Sequence, residues 1–203
     1  MKERTVIDQK MVDGNDRFHL KDEILRKYEA RRHLLEGLAQ ALHHKTEAML
    51  SGLAHIDRIQ FRVKSPKSFF NKAKYHNPPY QNPFVEMHDQ VGGRVVVFSE
   101  PDLCAVKERL IRGCSRILEN SFQRPRSDEE FGYESHHLVC EIPYEAKPPG
   151  WDDCQDMPEA FELQLRTLFM HAWAEQQHEL VYKGPADLPH DIRRSLASAA
   201  ALA

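Results

Sequence analysis

Polar and apolar residues alternate through Phe161-Glu162-Leu163-Gln164-Leu165-Arg166-Thr167. A strand throws successive side chains to opposite faces, so Phe161, Leu163 and Leu165 would enter a core while Glu162, Gln164 and Arg166 line up together. A carboxylate, an amide and a guanidinium then share one edge. The same alternation also fits an ordinary amphipathic strand with a solvated face. The next segment repeats the theme: His171, Glu175, His178 and Tyr182 fall on one helical stripe, anchored by Phe169, Trp173 and Leu180. Polar groups from two consecutive elements can therefore face one cleft, or simply hydrogen-bond along a helix surface. Their spacing is not that of an H-E-x-x-H helix, so zinc is not expected.

Charge of both signs stands upstream. Asp89 lies just before an apolar run in His88-Asp89-Gln90-Val91-Gly92-Gly93-Arg94. A carboxylate at a strand margin can hold Mg2+ or cap a turn, and paired glycines let a ligand or another backbone come close. From Arg58 to Val85 stand Arg58, Arg62, Lys64, Lys67, Lys72 and Lys74, with no Asp or Glu between them. In a chain of net charge −3, such a run suits a triphosphate or polyanion site as well as it suits a solvated basic face. In Phe131-Gly132-Tyr133-Glu134-Ser135-His136-His137, the residues Tyr133, Ser135 and His137 alternate onto one face. An aromatic ring followed by two hydrogen-bonding groups suits a stacked base with its ribose or phosphate nearby; a buried tyrosine with a satisfied hydroxyl is the ordinary alternative.

The elements that must position these groups are legible in outline. The 203 residues, 41% hydrophobic and 29% charged, suffice for one sizeable core. Helical periodicity runs from about Asp16 to Ile59 as one long or two shorter helices, with Gly37 and Gly52 as the breaks. Ile59 to Lys64 alternates as a strand, Pro66 opens a short helix to about Lys74, and Pro78, Pro79 and Pro83 mark a loop. Val91 to Phe98 reads as a central strand, and Pro101 fits the first turn of a helix ending near Arg112. Strands are expected at Ser115 to Phe122, Tyr133 to Ile142 and Phe161 to Arg166, with a long loop from Pro143 to Pro158. A helix from Leu168 to Tyr182 stops at Gly184-Pro185. This irregular alternation predicts an α+β fold, a mixed sheet with helices packed against it. The expected division is an N-terminal helical segment over 1–57, a core over 58–184, and a C-terminal helix over 185–203 that is still in progress at the last residue.

The order of these segments resembles the RelA/SpoT synthetase family. The resemblance spans about 120 residues, through Arg62-Val63-Lys64-Ser65-Pro66 with Ser68 and Lys72, Asp89 to Arg94, and Gly132-Tyr133 with Ser135 and His137. Glu162-x-Gln164-x-Arg166-Thr167 with His171, Trp173, Glu175, His178 and Tyr182-Lys183 is its most specific block. The resemblance implies a nucleotidyltransferase-like mixed sheet that moves pyrophosphate from ATP to the 3′-hydroxyl of GDP or GTP, giving the guanosine alarmone and AMP. It implies that Arg62, Lys64, Lys72 and Arg94 bind ATP, and that Asp89 and Glu162 hold Mg2+, with Glu162 also activating the acceptor hydroxyl. Tyr133 would stack on the acceptor base, with Ser135, His137, Gln164 and Arg166 around the acceptor and its phosphates and His171 and Glu175 in support.

Members of that family often carry Arg or Lys at the place of Glu134, and a basic loop at that of Gln123 to Glu130. A carboxylate there would repel the phosphates of a guanosine nucleotide. Two alternatives therefore stand beside the alarmone synthetase: a toxin-like enzyme acting on the tRNA 3′ CCA end or on adenosine nucleotides, and an inactive nucleotide-binding sensor. Cys104, Cys114, Cys140 and Cys154 form no C-x-x-C pair, which suits reduced thiols in a cytosol. No stretch approaches the roughly 18 apolar residues of a membrane span, so no membrane partner is expected. Homo-oligomerisation stays open.

Overall fold

The computed structural model describes residues 14–123, 135–172, 174 and 175. Two helices come first, α1 (Gly14–Ala30) and α2 (Arg32–Leu50). Leu34, Leu35, Leu38 and Leu42 recur at helical spacing along α2, and all are buried. The break falls at Arg31, not at Gly37 as the sequence suggested. The Arg31 guanidinium is buried and donates to the backbone carbonyls of Asp156 (2.6 Å) and Gln155 (3.2 Å) while lying over the Phe84 ring. That tertiary anchor interrupts a helix that local propensity would continue. Gly37 sits inside α2 because a Cβ there would come within 3.1 Å of Pro148. Gly52 does close the helical region, with a φ of +82° that other residues avoid.

Among the described residues five strands form one mixed sheet: β1 (Ile56–Val63), β2 (Val91–Val97), β3 (Ile117–Gln123), β4 (Ser135–Glu141) and β5 (Ala160–Thr167), in the spatial order β1-β2-β5-β4-β3. β2 and β5 pair in parallel, and the other three pairs are antiparallel. Between β1 and β2 lie α3 (Pro66–Tyr75), a short α4 (Pro83–Glu86) and a 3-10 turn over His88–Gln90; α5 (Glu100–Gly113) links β2 to β3. Ser65 caps α3 by accepting from the Ser68 N–H at 3.2 Å, with Pro66 in the first turn. Ser99 and Asp102 form a capping box at the start of α5, where Pro101 also sits. Residues 168–172, 174 and 175 are helical. The strands expected around 135 and 161, and the loop between them, are in place, and the chain is α+β as its pattern implied.

The two faces of the sheet differ. Helices α2 and α5 cover one face, where Val95, Leu163, Leu165 and Leu138 join Leu35, Leu38, Leu103 and Leu110 in a single core. Register places Arg62, Gly92, Glu162 and Val139 side by side on the opposite face, with Gln60, Arg94, Gln164 and His137 in the next row. Among the described residues, no helix is long and apolar enough to cross a membrane.

Candidate active site

The polar face opens into a cleft of about 800 Å3, lined by Arg62, Lys64, Asp89, Arg94, Glu162 and Gln164 together with residues of α2 and β1. Gly92 lies on its floor between Arg62 and Glu162, and a Cβ there would meet nothing within 4 Å. The absence of a side chain at this point keeps the floor open between the cations of β1 and the carboxylate of β5.

Glu162 is held by a chain of hydrogen bonds. Its Oε1 accepts from His137 Nδ1 (2.9 Å) and from Gln164 Nε2 (2.9 Å), and Gln164 Oε1 accepts in turn from Arg166 Nη2 (2.8 Å). Because the carboxylate only accepts, His137 presents a proton on Nδ1, and its Nε2 pairs with the Ser135 hydroxyl at 2.5 Å. Burial alone would raise the Glu162 pKa. Hydrogen bonds from His137 and Gln164 and the charges of His137 and Lys72 outweigh it and bring the carboxyl down to about 2. Glu162 is thus an anion at any pH near neutrality, fixed in direction by its neighbours.

Asp89 stands across the cleft on the turn before β2. The turn is clamped by Gln90, fully buried, whose side-chain amide donates to the carbonyls of Phe84 (2.7 Å) and Met87 (3.0 Å). Lys64 and Lys72 both reach Asp89 Oδ2, at 2.8 and 2.9 Å. The other oxygen, Oδ1, is buried and has no hydrogen-bond partner among the described residues. Lys64 is itself positioned from outside the cleft, since the Tyr28 hydroxyl donates to its carbonyl at 2.9 Å while the Tyr28 ring stacks on Phe69.

The expected site residues divide accordingly. Arg62, Lys64, Asp89, Arg94, Glu162 and Gln164 meet in the cleft, and Lys72 joins them through Asp89. Arg94 donates to Glu175 Oε1 at 2.9 Å and stands 3.4 Å from His171 Nδ1, so the helix after β5 closes on the β2 cation. Burial, with Arg94 alongside, lowers the His171 pKa. Ser135, expected beside the acceptor, is fully buried, with its hydroxyl against His137. Of the remaining cations, Arg58 pairs with Asp57, Lys67 lines a separate groove between α1 and α3, and Lys74 lies over the Tyr75 ring. Tyr133, His178 and Tyr182 fall outside the described residues.

Tyr80 was not foreseen. Burial, with the charges of Asp89, Glu86 and Glu162, pushes its hydroxyl up to about 12, and its ring stacks on His76. The only sequence signal was an aromatic residue inside a proline-rich loop. The donor set suits a hard divalent ion bridged to phosphate. Among the described residues no cluster of three His, Cys, Asp or Glu is arranged for a metal, but Mg2+ is commonly held by one or two carboxylates plus substrate phosphates, and Asp89 offers an unpartnered buried oxygen.

Residues 61–187 match the family model described as a region found in RelA / SpoT proteins. The chain is 28% identical over 141 residues to the GTP pyrophosphokinase YjbM of Bacillus subtilis (strain 168), covering 70% of this chain and 64% of that protein, so it spans less than two thirds of that relative's length. It is 28% identical over 160 residues to the GTP pyrophosphokinase YwaC of the same organism, covering 76% of this chain and 72% of that one. The crystal structure of small alarmone synthetase 1 from Bacillus subtilis superposes with a TM-score of 0.61 at 25% identity, over 87% of this chain and 90% of that one. A second structure of that synthetase, bound to its product pppGpp, matches with a TM-score of 0.55 at 25% identity, covering 91% of each chain.

Proposed function

Since the chain belongs to the RelA/SpoT family, we propose that it transfers pyrophosphate from ATP to the 3′-hydroxyl of GDP or GTP, with Mg2+ as cofactor, releasing AMP. The observation that carries this reading is the convergence of Asp89 and Glu162 on one cleft with Arg62, Lys64, Lys72 and Arg94. Support for the acceptor comes from the relatives named as GTP pyrophosphokinases and from the pppGpp product of small alarmone synthetase 1.

Transfer of this kind needs positioning and charge neutralisation more than covalent help. When bound, Mg2+ would neutralise phosphate charge, and Asp89 and Glu162 are the residues that would hold it. Arg62 and Arg94 offer forked donors to phosphate oxygens, and Lys64 and Lys72 offer point charges on flexible stems. The acceptor 3′-oxygen attacks the β-phosphorus in line, and the bond from that phosphorus to the α–β bridging oxygen breaks, freeing AMP. Glu162, with a pKa near 2, is a weak base. It accepts a hydrogen bond from the 3′-hydroxyl and orients it, and the proton departs to solvent as the new bond forms. A loose transition state asks no more of it.

The test is incubation with Mg2+ and ATP labelled on the β- or γ-phosphate, with GDP, GTP, ADP, ATP and bulk tRNA offered in parallel. Label on GDP or GTP is expected. Label on tRNA or on adenosine nucleotides would move the chain to the toxin-like alternative. Nucleotide binding without any transfer would leave a sensor.

A further inference from the structure

Lys64, just beyond the end of β1, and Lys72, on α3, approach the same Asp89 oxygen from different elements, at 2.8 and 2.9 Å. Lys64 and Asp89 are shielded, with exposures of 19% each, and Lys72 is half-buried at 35%. Asp89 Oδ1 is buried without a partner among the described residues. Two ammonium groups thus share one carboxylate oxygen while the other oxygen has none. One ammonium neutralises a carboxylate. A second leaves local positive charge and holds two like charges close together in a poorly hydrated place, an arrangement that calls for a further anion.

A divalent cation approaching Oδ1 would face both ammonium groups across the width of a single carboxylate. A triphosphate reverses the balance, because its oxygens are better partners for two ammonium groups than one shared carboxylate oxygen. The long stems of Lys64 and Lys72 allow both groups to swing without moving the backbone.

We propose that Lys64 and Lys72 form an electrostatic gate on Asp89: in the nucleotide-free chain they exclude divalent cations from this carboxylate, and they release it when they turn to a triphosphate. The gate rests on the reading of Asp89 as a metal ligand and goes beyond it by setting the order of binding. Triphosphate and metal become positively coupled at Asp89.

The test uses Mn2+ as probe, titrated into the nucleotide-free chain and followed by electron paramagnetic resonance of the free ion, with no acceptor and no turnover. The wild type should bind weakly. The double variant Lys64→Gln/Lys72→Gln keeps donors near Asp89 but removes the charge, and should gain at least about tenfold in Mn2+ affinity without nucleotide. Adding Asp89→Asn should erase that gain. A double variant with wild-type Mn2+ affinity overturns the gate, as does a nucleotide-free wild type that already binds as tightly as the variant. A second measurement needs no lysine variant: α,β-methylene-ATP should raise Mn2+ binding to the wild-type chain well beyond its effect on Asp89→Asn, and equal effects on the two overturn the gate. Failure of pyrophosphate transfer would leave these binding readouts untouched, so the two readings fail separately.

Discussion

A Cβ on Gly93 would come within 2.5 Å of Leu163 and 2.6 Å of Phe61, whereas one on the adjacent Gly92 would meet nothing within 4 Å. The two glycines face opposite sides of β2, and each lacks a side chain for a different reason. At Gly93 there is no room, because β1, β2 and β5 pack their apolar faces under α2 and α5. At Gly92 there is room, and glycine leaves it open toward the cleft. The packed face should therefore govern stability and the open face should govern transfer, even where the residues concerned are neighbours in sequence.

The largest expected effect tests the open face. Glu162→Gln and Asp89→Asn should each lower pyrophosphate transfer by about a thousandfold or more, equivalent to roughly 4 kcal/mol of barrier. Their circular dichroism should stay that of the folded wild type, with a modest loss of stability where the hydrogen bonds and ion pairs of these carboxylates are weakened. A variant with wild-type turnover would remove its residue from the site. Leu163→Ala, one position along β5 and on the other face, should do the reverse. Truncating this fully buried leucine should cost about 2–5 kcal/mol in urea unfolding while turnover per folded molecule holds. If Leu163→Ala lost transfer with stability unchanged, the division between faces would collapse.

The glycines sharpen the comparison further. Gly93→Ala should destabilise by about 1–3 kcal/mol, because the new methyl must displace the Leu163 and Phe61 side chains. Gly92→Ala should change stability by only about 0.5 kcal/mol or less. Its methyl enters the cleft floor between Arg62 and Glu162, and transfer should fall by roughly tenfold through misplaced substrate.

The packed face was largely legible in the sequence because periodicity records it. The alternation of Phe161, Leu163 and Leu165 with Glu162, Gln164 and Arg166 marked β5 and both of its faces before any fold was known. What periodicity does not record is which strands become neighbours. The parallel pairing of β2 with β5 sets Gly92 beside Glu162, a relation invisible along the chain. Asp89 could be singled out by its place before an apolar run, but its two lysine partners arrive from just beyond β1 and from α3 and depend on how those elements cross. Gly37 was misread for a similar reason: it looked like a helix break and serves instead as a close approach to Pro148, while the real break at Arg31 is set by carbonyls of the distant loop before β5.

Ser135 tests the border between the two faces with the smallest effect. Its type and alternation with Tyr133 and His137 suggested contact with the acceptor, yet it is fully buried and its hydroxyl meets His137, whose other nitrogen holds Glu162. If Ser135 acts by orienting that imidazole, Ser135→Ala should cost about 1 kcal/mol of stability and lower kcat several-fold. KM for ATP and for the acceptor should stay unchanged, and Ser135→Thr should restore much of the loss. A rise in acceptor KM with kcat preserved would instead put Ser135 in contact with the acceptor, as its position beside Tyr133 first suggested. The burial of its hydroxyl argues for the first outcome, because among the described residues its contact toward the cleft is the imidazole it holds.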